Sequence, residues 1–235
     1  MNPYLAEFLG TAMLILMGNS GNCTAKLNRS HAQGAGNLQI MFCWAFAVMV
    51  PAYIFGTSSG AHFNPVISLA KAITGDLAWG MVPGYCLCQI AGAFTGQLLV
   101  AALFHDHFLA TPDADTCFGC FATSPSIPNP GRNLLSEIVG TFVLVFASLG
   151  TAQMPMADGV GSLYTFCLIA GIGMSFTGLT GYAINPARDL GPRLAYQVLK
   201  PIRREDTARW SYVPVPICGP VIGGLIATGL YLLVF

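Results

Sequence analysis

Two short stretches of this chain each set polar or ionisable side chains close together. The first to consider, Gly181 to Arg193, carries Asn185-Pro186-Ala187-Arg188-Asp189, so a permanent cation sits three residues after an asparagine in otherwise apolar surroundings. A shorter counterpart, Gly60-Ala61-His62-Phe63-Asn64-Pro65-Val66, lies 121 positions earlier. Asparagine caps a helix N-terminus well, and proline at the first helical position gives up an amide hydrogen that the helix could not pair there. Each motif therefore starts a short helix. Two helix N-termini brought together present positive dipole ends and free amide donors, to which Asn64 and Asn185 add side-chain donors. The approach segments Gly60, Ala61, His62, Phe63 and Gly181, Tyr182, Ala183, Ile184 carry backbone carbonyls that no helix uses, and these form ladders of acceptors. A donor centre with acceptor arms suits the passage of water and polyols. No nucleophile, base and metal set converges, so His62, Arg188 and Asp189 point to conduction rather than catalysis.

Composition says where these motifs must operate. Of 235 residues 54% are hydrophobic and 9% charged, against about 25% charged in soluble domains. The chain is read as an integral membrane protein, and zero net charge gives no reason to expect a nucleic-acid partner. Six segments are long enough to cross a hydrocarbon core at about 20 residues each: Pro3–Gly21, Leu38–Gly56, Ala78–Phe104, Leu134–Ala152, Val160–Gly178 and Tyr212–Phe235. The first lacks a basic n-region and reads as a retained span. Pro65–Gly75 and Pro186–Val198 are too short to cross and cover roughly half a bilayer each. Non-helical backbone at that depth is tolerated only where it is buried in protein or lines a watery cavity.

The two halves repeat one another. Ala6-Glu7-Phe8-Leu9-Gly10-Thr11 matches Ser136-Glu137-Ile138-Val139-Gly140-Thr141, and Ile90 to Gly96 matches Ile217 to Gly223. Three spans per half invert the second copy relative to the first. The expected fold is thus an all-α membrane protein of six transmembrane helices and two re-entrant half-helices, whose tips meet with Asn64 against Asn185. Glycines four apart (Gly92, Gly96; Gly219, Gly223) allow close helix packing. Glu7 and Glu137, placed alike in both halves, are expected to accept hydrogen bonds from the re-entrant loops rather than to relay protons.

Paired Asn-Pro boxes in inverted three-span halves resemble the aquaporin and glycerol facilitator family over essentially the whole chain. Within that family an aspartate placed like Asp189 marks the glycerol-conducting branch. The resemblance implies a selectivity filter at Trp44, Gly173, Tyr182 and Arg188, found by their offsets from the two boxes. It also implies a homotetramer in the plasma membrane, with no cofactor or metal. The residue types agree: two aromatic faces form an apolar wedge, Arg188 donates to hydroxyl oxygens and repels cations, and a glycine leaves width. With cytoplasmic termini, residues 1–105 form the first repeat, 106–132 an extracellular connecting loop and 133–235 the second repeat.

Two positions depart from the family pattern. Val66 puts a branched side chain where alanine is usual and the half-helices pack tip to tip, and Tyr182 adds a hydroxyl where the best-known bacterial facilitators have phenylalanine. The basic residues depart from the positive-inside rule, because Lys26, Arg29, Arg132, Lys200, Arg203, Arg204 and Arg209 fall outside and only Lys71 inside. Either basic residues are missing from the termini or Lys200–Arg209 forms a basic outer vestibule. The expected solutes are glycerol, water and other small uncharged molecules. The alternative solute is a small hydroxy acid such as lactic acid, entering neutral. An ion-coupled secondary transporter, the rival from another class, would need a cation site or titrating carboxylate that the sequence does not offer. Eight cysteines do not suggest a disulfide framework, and Cys117 and Cys120 read as incidental loop cysteines.

Overall fold

The computed structural model describes the backbone of residues 1–235 and every side chain except that of Ala152. Its regular elements are ten α-helices: α1 (Pro3–Lys26), α2 (Gly36–Ser59), α3 (Pro65–Ile73), α4 (Val82–Leu103), α5 (His105–Ala110), α6 (Ala114–Phe118), α7 (Pro130–Gly150), α8 (Val160–Thr180), α9 (Pro186–Val198) and α10 (Pro214–Val234), with three short 3₁₀ turns. Six are long, and α3 and α9 are the two half-helices, about 14 and 20 Å at 1.5 Å per residue.

Five of the long helices are apolar enough to span a membrane by composition alone. Helix α1 is not one of these five, although at 24 residues it is long enough. Its polar side chains face the protein instead of lipid: Glu7, Thr11, Asn19 and Asn22 are all buried. Asn19 donates to Gln97 Oε1 on α4 at 2.5 Å and to Phe121 O at 3.0 Å, and Asn22 donates to Asn19 Oδ1 at 3.0 Å. With partners for these groups inside the fold, the helix runs on to Lys26, five residues past the expected end.

All four Asn-Pro dipeptides of the chain start helices. Asn2, Asn64, Asn129 and Asn185 each accept backbone amides with the side-chain oxygen while the following proline occupies the first turn. The first and third head α1 and α7, and the second and fourth head the half-helices, so the capping chemistry itself repeats.

Packing follows the same two-fold pattern. Helix α1 packs on α2 and α4, and α7 packs on α8 and α10. The halves are joined through α2 against α8, and through the half-helices: α9 lies on α4 of the other half, and α3 lies between α4 and α10. The repeated glycines sit at the closest crossings. A Cβ on Gly92 or Gly96 would strike the backbone of Phe8 or Ala12, and one on Gly223 the backbone of Ile138. Half-helix α9 is held on α4 as closely, since a Cβ on Gly191 would strike Phe94 N and Ile90 O.

Candidate functional site

Where α3 and α9 meet, each asparagine reaches into the other half. Asn64 Nδ2 donates to Ile184 O at 2.9 Å, and Asn185 Nδ2 donates to Phe63 O at 2.8 Å. Their Oδ1 atoms cap the helices, Asn64 accepting from Val66 N and Asn185 from Ala187 N, both at 3.0 Å. An amide NH₂ carries two hydrogens, so one donor per asparagine is spent on the opposite loop and one remains. The last carbonyl of each approach segment, Phe63 O or Ile184 O, is correspondingly tied to the opposite asparagine instead of standing as a free rung.

The approach segments hold a strained backbone, identically in both halves. Gly60, Ala61 and Phe63 have φ of 83°, 51° and 48°, while Gly181, Tyr182 and Ile184 have 78°, 39° and 43°. For residues with a Cβ, the left-handed region costs on the order of 1–2 kcal/mol each, and such strain persists only where the surroundings over-determine it. Two buried carboxylates supply that constraint. Glu7 Oε1 accepts from Ser59 Oγ at 2.6 Å and His62 N at 2.9 Å, and Oε2 accepts from Phe63 N at 2.7 Å and Gln89 Nε2 at 2.8 Å. Glu137 does the same with Thr180 Oγ1 at 2.6 Å, Ala183 N at 3.0 Å and Ile184 N at 2.8 Å. With these amides drawn toward the carboxylates, the segments expose carbonyls on their other side.

That other side is a continuous cavity of about 220 Å³. Trp44 and Arg188 lie on its wall, as do Asn64, Asn185, His62 and Tyr182, and apolar side chains including Leu14, Val48 and Ile169 complete it. The Arg188 guanidinium carbon sits 3.9 Å from the centre of a Trp44 ring, a cation–π contact that orients the head. No side-chain hydrogen bond from Arg188 occurs among the described residues, so its N–H groups are left for a solute. Gly60, Ala61, His62, Phe63, Tyr182, Ala183 and Ile184 line the cavity; Gly181 and Gly173 are not among its lining residues. A Cβ on Gly173 would stand 3.0 Å from Tyr182 Oη and 3.0 Å from Met41 Cγ. The space the glycine leaves is therefore filled by the end of the Tyr182 ring, and its hydroxyl is buried there without a partner.

Asp189 does not reach the cavity. It accepts from Thr123 N at 2.8 Å and Thr123 Oγ1 at 2.6 Å, and pairs with Arg193 at 2.7 Å, both side chains being essentially fully buried. Arg193 continues to the carbonyls of Ala208 and Thr123 at 2.8 and 3.0 Å. The pair thus fastens α9 to the long loop between the halves.

Val66 points away from the cavity as well. Its side chain occupies the space a Cβ on Gly224 of α10 would need, and it clusters with Val145 and Ala227. The branched residue is accommodated by a glycine in another helix, and the cavity wall does not include it. Cys117 and Cys120 are buried in a loop cluster with Cys23, Phe108 and Phe121. The arginines of Lys200–Arg209 are engaged rather than free: Arg204 donates to Phe108 O at 2.7 Å and Thr111 O at 3.2 Å, and Arg209 pairs with Asp115 at 2.5 Å and with Glu205. The hydrogen bonds that Arg209 donates to the Glu205 and Asp115 carboxylates raise its pKa above the ordinary value. The segment is a clasp between loops more than a basic surface.

The family model for the major intrinsic proteins matches residues 1–231. The chain belongs to the major intrinsic protein family. It is 44% identical to glycerol uptake facilitator protein 3 of Lactiplantibacillus plantarum over 227 residues, covering 97% of this chain and 94% of that protein. It is 32% identical to the D/L-lactic acid transporter of the same organism, covering 97% and 95%. Among solved structures, the aquaglyceroporin from Plasmodium falciparum superposes with a TM-score of 0.82 at 24% identity over 97% of this chain and 94% of that one. As a major intrinsic protein the chain is a multi-pass protein of the cell membrane with the six-plus-two inverted-repeat fold.

Proposed function

We propose that this protein is a passive channel for glycerol and other small uncharged solutes. The observation that carries the reading is the cavity running past the Asn64–Asn185 meeting point, with polar groups and strained carbonyl segments on its wall beside apolar side chains. A polyol has hydroxyls that need donors and acceptors and a carbon backbone that needs an apolar surface, and such a wall supplies each. The names carried by several of the relatives, glycerol uptake facilitators, support the same reading.

In this proposal Trp44, Tyr182 and Arg188 form the selectivity filter, with Gly173 acting by making room for the Tyr182 ring. Asn64 and Asn185 are the central donors. Residues 60–62 and 181–183 offer the carbonyl ladders, Glu7 and Glu137 hold them in place, and Asp189 anchors α9. The protomer is read as one pore of a homotetramer, with residues 1–105 and 133–235 as the two repeats and 106–132 as an extracellular connection. No catalytic step is required. A small hydroxy acid is the second reading, supported by the similarity to a lactic acid transporter.

The test is light scattering from proteoliposomes carrying the purified chain, shocked with sorbitol, then glycerol, then lactic acid at several pH values. Rapid re-swelling in glycerol with little pH dependence is expected. Re-swelling confined to lactic acid, rising as the acid is protonated, would instead establish the second reading, and no re-swelling in either would end both.

A further inference from the structure

Arg188 has a counterpart at the other end of the cavity. Lys71, in the last turn of α3, lines the same cavity as Trp44 and Arg188 and also a wider one of about 480 Å³ opening beyond it. Gly60 and His62 are shared between the two spaces in the same way. Lys71 therefore stands at the neck where the narrow passage widens. Its side chain is 26% exposed, and its ammonium is fixed by Asp76 Oδ2 at 3.0 Å, an oxygen that also accepts from Thr74 Oγ1 at 3.0 Å. The hydrogen bond from Lys71 keeps the Asp76 carboxyl below its ordinary pKa. The carboxylate faces solvent, 56% exposed.

An ammonium has three donors, and the described contacts use one. Two remain for a solute at the neck. The carbonyl oxygen of a carboxyl group, neutral acid included, accepts a charge-assisted hydrogen bond from an ammonium, so a hydroxy acid entering neutral offers Lys71 an acceptor that glycerol lacks. Helix ends alone explain a lysine near the C-terminus of α3. They do not explain one that borders both cavities.

We propose that Lys71 is a second selectivity position, opposite Arg188, which binds the carboxyl group of small hydroxy acids and admits them beside glycerol. The inference rests on the channel reading above and assigns a residue to hydroxy-acid selection in the same pore. A three-carbon hydroxy acid presents its hydroxyl to the same wall as glycerol does and its carboxyl to Lys71.

The experiment is proteoliposome re-swelling in glycerol and in lactic acid at one fixed pH, with protein-free vesicles subtracted, for the wild type, Lys71→Met, Lys71→Arg and Asp76→Asn. The ratio of lactic acid to glycerol flux is expected to fall about threefold or more in Lys71→Met, the loss of one hydrogen bond from a charged donor, to recover in Lys71→Arg, and to hold or rise in Asp76→Asn, which leaves the ammonium in place without its partner. A ratio unchanged in Lys71→Met, or no wild-type lactic acid flux, would overturn the assignment. So would a fall in Asp76→Asn like that in Lys71→Met, which would make the ion pair a structural brace. A wild type that passes lactic acid but not glycerol would sink the glycerol reading while leaving the Lys71 comparison readable on the acid flux alone.

Discussion

The side-chain amide of Asn64 donates to the Ile184 carbonyl at 2.9 Å while its own oxygen caps α3 through Val66 N, so one residue both starts a helix and fastens the opposite loop. Asn185 repeats the arrangement with Phe63. The two roles are separable. Asn64→Ala removes both and is expected to cost about 1–3 kcal/mol, the cap and the newly unpaired carbonyl together. Asn64→Ser keeps a cap acceptor and loses only the reach, so it should fall between. Thermal unfolding in detergent ranks the three proteins, and a serine variant no better than alanine would remove the cap from the account.

The two buried glutamates differ in load. Four donors converge on Glu7 and three on Glu137. Replacing either with glutamine substitutes a donor for one acceptor oxygen and leaves at least one buried N–H or hydroxyl unpaired, at about 1–3 kcal/mol. Glu7→Gln is expected to lower the unfolding midpoint more than Glu137→Gln does, and both should slow glycerol re-swelling because the strained segments lose their anchor. Equal midpoints for wild type and both variants would show that the carboxylates are not what holds the loops.

Tyr182 offers the opposite case, a buried polar atom with nothing to lose. Its hydroxyl has no hydrogen-bond partner, and the ring is seated beside Gly173 and Met41. A buried hydroxyl without a partner is unfavourable by about 1–3 kcal/mol, so Tyr182→Phe is expected to leave the unfolding midpoint equal or higher. A lower midpoint would mean that the hydroxyl is satisfied in the membrane-embedded protein, by an ordered water or a neighbouring side chain that rotates toward it.

Arg188 is held by stacking on Trp44 and spends no side-chain donor on the protein. Replacing it with alanine removes the one cation at that end of the cavity, and larger or positively charged solutes are then expected to enter. Re-swelling in methylammonium chloride and in a five-carbon polyol measures this directly. Unaltered exclusion of both in Arg188→Ala would take Arg188 out of the filter.

The boxes and half-helices could be read from the sequence because their signals are local: a cap, a proline and a span too short to cross. Helix ends were less legible where tertiary partners changed the meaning of polar residues. Asn19 and Asn22 make α1 look finished at Gly21, yet both are paired inside the fold and the helix continues. The start of α7 had a usable signal, Asn129-Pro130, the same dipeptide that opens the half-helices. Asp189 could be placed in its motif, but nothing near it in sequence shows that it serves Thr123, 66 residues away. The loop arginines look like a charged surface until Asp115 and the carbonyls of α5 are brought to them by folding.

Val66 and Gly224 make the least legible pairing, and it yields a test by double substitution. They lie in different halves, and neither position has a pattern that announces the other, yet the valine side chain fills the space over the glycine. Gly224→Ala should overpack this contact and cost about 1–3 kcal/mol. Val66→Ala alone leaves a small void among Val145, Leu149 and Ala227, and is expected to be destabilising for the opposite reason. Because each change compensates the other, the double variant should be more stable than the sum of the single effects predicts, a coupling of about 0.5–3 kcal/mol. Val66 is not on the cavity wall, so Val66→Ala should re-swell in glycerol at the wild-type rate per folded protein. Strict additivity in the cycle would show that the side chain finds another rotamer and that Gly224 is not what accommodates it. A changed glycerol rate in Val66→Ala would instead mean that the packing behind α3 is transmitted to the position of Asn64.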